Sequence, residues 1–286
     1  MSAADIRLPL VILAAGRARR YGGCKPLAPV GPHGEAVIDL VASDAVAAGF
    51  GKIVLVLNPD TGPAIRYHVE RTWPNAVEVG LAVQERPLGT VNAVLSASEH
   101  VAGLSYGVGN ADDIYGRPAA TMLAQHLAQG GPTNALVGYR LADAVVGFSP
   151  VTRGICQVGP DGRLLGVDER LKVTAQPEGR FRSADGQEPA ELSPDARVSM
   201  NLWGFTPAFH GVLEAAMAAA ADASEEAEVL LPVVVGSSLE SNPFTVLAAT
   251  GRCIGVTHPD DLGLVQAELN RQVGQGERAA KLWSSL

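Results

Sequence analysis

Apolar positions fall into two rhythms along the chain, and the first half alternates between them. Leu8–Leu13 (LPLVIL) is a continuous apolar run ended by Gly16, the pattern of a strand buried on both faces. Residues 36–49 (AVIDLVASDAVAAG) repeat apolar positions at helical spacing and stop at Gly49 and Gly51. Lys52–Leu57 (KIVLVL) is a second buried strand, and Asn58-Pro59-Asp60 turns the chain. The pattern then predicts a helix over Ala64–Trp73, a strand over Val77–Gln84 and a helix over Thr90–His100. A strand over Leu104–Val108 and a helix over Ala119–Ala128 complete this half. Strands and helices in strict alternation predict an α/β fold with a doubly wound, mostly parallel sheet.

After residue 134 the rhythm changes. Asn134–Arg140 reads as a strand, and Ile155–Val158, Gly159-Pro160-Asp161-Gly162 and Leu164–Glu169 read as a hairpin. Residues 172–197 are polar, rich in proline and glycine, and without a usable period; they predict a long surface excursion of the kind that often forms a lid. Val198–Phe205 returns to a strand and Pro207–Ala221 to an Ala-rich helix. Thr245–Thr250 and Cys253–Val256 close the core, and a polar helix runs from Asp260 to about Gly274. No internal repeat is present.

Composition narrows the partners. The chain has 286 residues, 47% hydrophobic and 18% charged, ample for a globular core. A formal charge of −8 argues against a nucleic-acid or anionic-membrane surface. Cys24, Cys156 and Cys253 are widely spaced and fit no metal pattern, which suggests a reduced compartment. No apolar stretch is long enough to span a bilayer, and no basic n-region precedes Leu8–Ala15, so a cytoplasmic protein is expected.

Against this acidic background, Arg17, Arg19, Arg20 and Lys25 crowd into one loop directly after the first strand. In open α/β sheets ligands sit beyond the carboxyl ends of the strands. Gly16, Gly22 and Gly23 permit close backbone approach, so amide N–H groups can converge on phosphate oxygens. The loop is neither a dinucleotide fingerprint, lacking the middle glycine of G-x-G-x-x-G, nor a Walker A loop, lacking G-K-[ST].

Leu13-Ala14-Ala15-Gly16, Arg20 and Lys25-Pro26-Leu27 together resemble the opening signature of the sugar-1-phosphate nucleotidyltransferases and their MobA-like relatives, with Ala18 at a usual glycine position. The resemblance implies a Rossmann-like fold of GT-A type with an inserted hairpin and lid. Leu13–Gly16 would then wrap the nucleotide, while Arg20 and Lys25 bind its phosphates and act in catalysis. Further stretches agree. Gln84-Glu85-Arg86-Pro87-Leu88-Gly89-Thr90 has the family's Q-x4-G-T form, in which Gln84, Gly89 and Thr90 would bind the nucleotide and Gln84 would read uracil or thymine. Asp112, beside Asp113, stands where the family places its Mg²⁺-binding and catalytic aspartate.

Val167-Asp168-Glu169-Arg170 resembles the family's v-x-E-K segment, making Glu169 and Arg170 sugar-phosphate ligands, with arginine for the usual lysine. In Ser199–Phe205 the family's glycine is Asn201, a third sugar-phosphate position, which should narrow or repolarise the pocket. Glu228–Pro232 resembles an E-[YF]-L-L-P element and reads as packing. A second metal ligand is expected just before Pro259-Asp260-Asp261-Leu262, where the chain has Gly255 or Thr257; either His258 or Asp260 takes its place or the second ligand is absent.

The resemblance implies one nucleotidyltransferase domain over 1–286, with a nucleotide half (8–133), a sugar-phosphate half (134–265) and a C-terminal helix and tail (266–286). Too few residues remain for a left-handed β-helix, and no hexapeptide repeat occurs. The expected reaction joins UTP or dTTP to a sugar 1-phosphate with Mg²⁺, releasing pyrophosphate. The alternatives are CTP-dependent transfer to a phospho-alcohol, a catalytically silent nucleotide-binding regulator, and, least in keeping with the basic loop, a dinucleotide oxidoreductase using Asp60. Nucleoside triphosphate and sugar phosphate are the expected partners, without nucleic acid or membrane, and homo-oligomer formation stays open.

Overall fold

The computed structural model of the chain describes residues 7–16, 23–145, 147, 149–224, 226–256 and 262–286. Its first half follows the alternating pattern: β1 (Pro9–Leu13), α1 (Val37–Ala47), β2 (Lys52–Leu57), α2 (Gly62–Thr72), β3 (Val79–Val83), α3 (Gly89–Leu95), α4 (Ser98–Val101) and β4 (Tyr106–Asn110). The helix expected over 90–100 is broken between α3 and α4. The Ser96 and Ser98 hydroxyls donate to the carbonyls of Asn92 and Leu95, an interaction that competes with the helical ladder.

The second half adds β5 (Asp113–Ile114), α5 (Arg117–Ala128), β6 (Asn134–Arg140), α6 (Leu141–Ala144), β7 (Val151–Val158), β8 (Leu164–Ala175), β9 (Phe181–Arg182), β10 (Glu191–Leu192) and β11 (Arg197–Phe205). It ends with α7 (Pro207–Ala223), α8 (Leu231–Ser238), β12 (Phe244–Ala248), β13 (Ile254–Gly255) and α9 (Leu262–Gly274). No helix among the described residues is long and apolar enough to cross a membrane.

The sheet runs β3-β2-β1-β4, all parallel, and continues through the antiparallel β11. Chain order reverses at β1: the next strands, β2 and β3, lie on one side and β4 on the other. Loops leaving β1 and β4 therefore diverge and open a crevice, the topological switch point of an α/β sheet. Alternation along β1 and β2 splits the core. Leu10, Ile12, Ile53 and Leu55 join the layer that contains α1, α5 and α9, whereas Val11, Val54 and Val56 join that of α3, α7 and α8.

β11 turns the sheet into a second lobe. Trp203–Phe205 pair with β4, but farther up the same strand Val198 and Ser199 pair with β7 instead. Between them the register against β6 shifts at a bulge, and Asn201 there has φ 57°. β7 and β8 form the expected hairpin, but both strands run longer than their apolar pattern. The excursion 172–197 is also more ordered than its composition suggests: β8 continues to Ala175, and β9 and β10 extend the ribbon around buried Phe181 and Leu192.

Candidate active site

The crevice between β1 and β4 is lined on its β1 side by Leu13, Ala14 and Gly16. Lys25 and Pro26 cover it, and Ala111 and Asp112 close it from β4, around a cavity of about 140 Å³. Backbone bonds fix this wall. Leu13 carbonyl accepts from Ala111 N–H, and the buried Asn58 side chain donates to the Ala15 carbonyl at 3.0 Å. Asn58 was legible only as a turn residue, and it also props the chain where it leaves β1 at Ala15. Ala15 itself packs into the core. Arg17, Arg19 and Arg20 lie outside the described residues, as do Thr257, His258 and Asp260.

A larger lobe, about 610 Å³, opens on the other side of the same pair, between β4, the β7–β8 hairpin and α8. Lys25 and Asp112 line both lobes. Their side chains face each other, with Lys25 Nζ 3.6 Å from Asp112 Oδ2. Asn110, Asp113, Arg153, Glu169, Ser199 and Asn201 supply the polar lining of the large lobe; Val167, Met200, Leu230, Pro232 and Val233 supply an apolar one. A still larger cavity, about 770 Å³, lies under the C-terminal segment and shares no lining residue with either lobe.

Electrostatics mark the meeting point. Burial raises the Asp112 carboxyl above its ordinary value, and Lys25 pulls it back. Asp113 is pushed up to about 7, first by burial and then by the charge of Asp112. Asn110 Nδ2 donates to Asp113 Oδ2 at 2.8 Å and aims that carboxylate. Two adjacent carboxylates repelling each other, with hard oxygen donors and a crevice for phosphates in front, fit Mg²⁺, which takes one or two carboxylates plus substrate oxygens. Among the described residues no cluster of three or more acidic, histidine or cysteine side chains forms a closed metal cage. The second-ligand segment does arrive here: Gly255 pairs with Asp113 across β5 and β13, and Val256 N–H donates to the Asp112 carbonyl. Its described residues, Gly255 and Val256, bring backbone to the site.

The Q-x4-G-T stretch is interlocked. Gln84 Nε2 donates to the Gly89 carbonyl and to Asn92 Oδ1, both at 3.0 Å, so both its N–H bonds are used inside the protein. Its oxygen is the atom left for a base, and the donor-plus-acceptor reading of the base edge gives way to an acceptor alone. Gly89 has φ 89°, and a Cβ there would stand 2.3 Å from the Val229 carbonyl oxygen. Thr90 Oγ1 accepts from Leu231 N–H at 2.8 Å. Glu228–Pro232 is thus the backbone partner of the G-T turn as well as packing.

Two sugar-phosphate positions need revision. Arg170 is not brought to the large lobe. It is 4% exposed, clamps Asp185 at 2.8 Å, and donates to the carbonyls of Gln187 and Pro189. Strand alternation explains this: Val167 and Glu169 line the lobe, so Arg170 points from the other face of β8. Asn201 does line the lobe, but its residue type also answers a backbone need. At φ 57° glycine or asparagine is favoured, and its Oδ1 accepts from Trp203 Nε1 at 3.3 Å. Arg153 and Ser199, which the motifs did not flag, belong to the lobe.

Comparison with known proteins bears on the family likeness and the fold. Residues 10–138 match the model of the MobA-like NTP transferase domain. Over 192 residues, 65% of this chain, it is 29% identical to the bifunctional protein GlmU of Geobacter sulfurreducens, covering 37% of that protein. Over 171 residues, 57% of this chain, it is 25% identical to glucose-1-phosphate thymidylyltransferase of Mycolicibacterium smegmatis, covering 55% of it. The chain therefore spans about half or less of the curated relatives it matches. In fold it is similar to the inositol-1-phosphate CTP transferase of T. maritima, with TM-score 0.67 at 13% identity over 94% of this chain and 98% of that one. The resemblance read from the motifs holds: residues 10–138 match a MobA-like NTP transferase domain, and the chain is similar to sugar-phosphate nucleotidyltransferases.

Proposed function

We propose that the protein is a nucleotidyltransferase that joins a nucleoside triphosphate, UTP or dTTP first, to a phosphomonoester acceptor of the sugar-1-phosphate class and releases pyrophosphate. One observation carries the reading: Lys25 and Asp112 stand at the junction of a small crevice at the switch point and a large lobe beside it. A reaction between two anions needs such a junction, where cations cancel repulsion and the reacting atoms align.

In this reading the triphosphate lies along Leu13–Gly16, with Lys25 and, by the motif, Arg20 against its phosphates. The acceptor sits in the large lobe, its hydroxyls toward Glu169. An acceptor phosphate oxygen attacks the α-phosphorus in line, and the bond to the bridging oxygen breaks as pyrophosphate leaves. A phosphate monoester is already ionised at neutral pH, so no general base is required. Asp112, with Asp113 beside it, would hold a Mg²⁺ ion that neutralises triphosphate charge when bound.

CTP-dependent transfer to a phospho-alcohol is a second reading, which the Gln84 side chain leaves open. With both N–H bonds spent, its oxygen accepts equally from uracil N3–H or the cytosine amino group. Mg²⁺-dependent pyrophosphate release decides, measured across the four ribonucleotides and dTTP, crossed with several sugar 1-phosphates and phosphocholine. Release with UTP or dTTP and a sugar phosphate supports the first reading; release with CTP and phosphocholine supports the second. Silence across the panel, with a nucleotide still stabilising the fold, marks a binding protein.

A further inference from the structure

The large lobe has a cation that no motif assigned. Arg153 borders it together with Asp113, Glu169 and Asn201. Its hydrogen bonds go to uncharged partners: Nε and Nη2 donate to the Ala144 carbonyl at 3.1 and 2.7 Å, and Nη1 to the Thr152 carbonyl at 2.8 Å. Arg170 pairs with Asp185, Arg278 with Asp44 and Lys25 with Asp112, whereas Arg197, which also lies on a backbone carbonyl, that of Gly138, does not border the lobe. Arg153 has no carboxylate within 4.0 Å among the described residues.

A guanidinium withdrawn from water and held on carbonyls keeps its charge without a direct ion-pair partner. Burial disfavours its charged form, and the charge of Asp113 across the lobe offsets this only in part. An anion entering the lobe would supply what the site lacks, and guanidinium N–H groups match phosphate oxygens in pairs. Arg170, the residue expected for this task, is locked behind β8 with Asp185. Arg153 stands opposite it in the β7–β8 register, at the shift between Val151 and Arg153 where the strict alternation of faces is interrupted, and borders the lobe.

We propose that Arg153 is the residue that recognises the anionic group of the acceptor, so that the hairpin supplies this charge from β7 instead of β8. The proposal rests on the nucleotidyltransferase reading for the identity of that acceptor, a phosphomonoester held between Arg153 and the Lys25–Asp112 junction. Lys25 stays with the triphosphate, and the two anions are gripped by separate cations. Ala144 and Thr152 carbonyls hold the guanidinium in place before either substrate arrives.

Two measurements separate the proposal from the reading beneath it. Crystals of the nucleotide-free protein soaked in tungstate, a phosphate mimic with an anomalous signal, test the site without turnover. Tungstate within hydrogen-bond reach of Arg153, kept in Arg153→Lys and lost in Arg153→Gln, is the expected result. Gln keeps one amide donor in reach of the Ala144 carbonyl and removes the charge together with the terminal N–H groups, which the Lys variant controls by keeping the charge. No tungstate on the wild-type guanidinium, or tungstate retained in Arg153→Gln, overturns the proposal, and the wild-type soak suffices should Gln unsettle residues 144–152.

In the transfer assay, Arg153→Gln should raise the acceptor KM roughly ten- to hundredfold with the nucleotide KM unchanged. Equal rises in both, or none, also overturn it. A wild-type protein that turns over no acceptor yet binds tungstate at Arg153 sinks the nucleotidyltransferase reading and leaves an anion site standing.

Discussion

A left-handed residue inside a strand costs about 1–2 kcal/mol unless it is glycine or, to a lesser degree, asparagine. Asn201 occupies that position at the bulge where β11 leaves β4 for β7. Asn201→Gly should therefore leave the melting temperature nearly unchanged, while Asn201→Val should destabilise by about 1–2 kcal/mol, read by chemical denaturation. From the sequence, Asn201 could be read only as a pocket residue; the backbone angle that selects it depends on pairing with two other strands. Lys25 and Asp112 were legible because their chemistry and position are set by short motifs. Lys25→Ala should lower kcat by roughly a hundredfold or more, with circular dichroism unchanged; a variant that keeps full turnover would remove Lys25 from the site. Arg153 carried no such signal, since nothing in one sequence reveals which strand residue lacks a counter-ion.

Elements explain why other motif residues are there. Gly89 is required by the Val229 backbone passing 2.3 Å from where a Cβ would stand. Gly89→Ala should separate α3 from the start of α8 and cost about 1–3 kcal/mol, with faster amide exchange at Val91 and Val229 as the local sign. The sequence showed the two segments as separate motifs, 140 residues apart, because pairing of backbone to backbone leaves no side-chain pattern. The Arg170–Asp185 clamp has a different signature. The Arg170 guanidinium beside Asp185 holds its carboxyl below the usual carboxylate range. A carboxylate held low stabilises the fold at every pH above its unfolded value, about 3.9, and loses that contribution as pH falls through its folded value. Arg170→Met should lower the melting temperature by several degrees at pH 7, and the gap to wild type should narrow progressively below about pH 4.

For the whole molecule, the pattern of buried runs was enough to anticipate the doubly wound sheet, since fully buried strands need no partner identity to be recognised. Strand order was not legible, and with it the place where β1 and β4 part. The same order places the crevice proposed to hold the nucleotide at the switch point of the parallel sheet, so nucleotide alone should protect the fold. At about a hundred times Kd the gain is roughly 2.7 kcal/mol, seen as a rise of several degrees in melting temperature; an acceptor added alone should give a smaller one.

The matched segment 10–138 ends within β6. Most of the side chains that line the large lobe, from Arg153 and Glu169 to Asn201 and Val233, come from beyond it. Lys25, Asn110, Asp112 and Asp113 are the parts the two regions share. Under the proposed function, the chain is thus laid out so that its choice of acceptor can drift by substitutions in one stretch while the residues assigned to the triphosphate are inherited whole. Grafting residues 150–201 between relatives would be a way to transplant acceptor preference without rebuilding the nucleotide half.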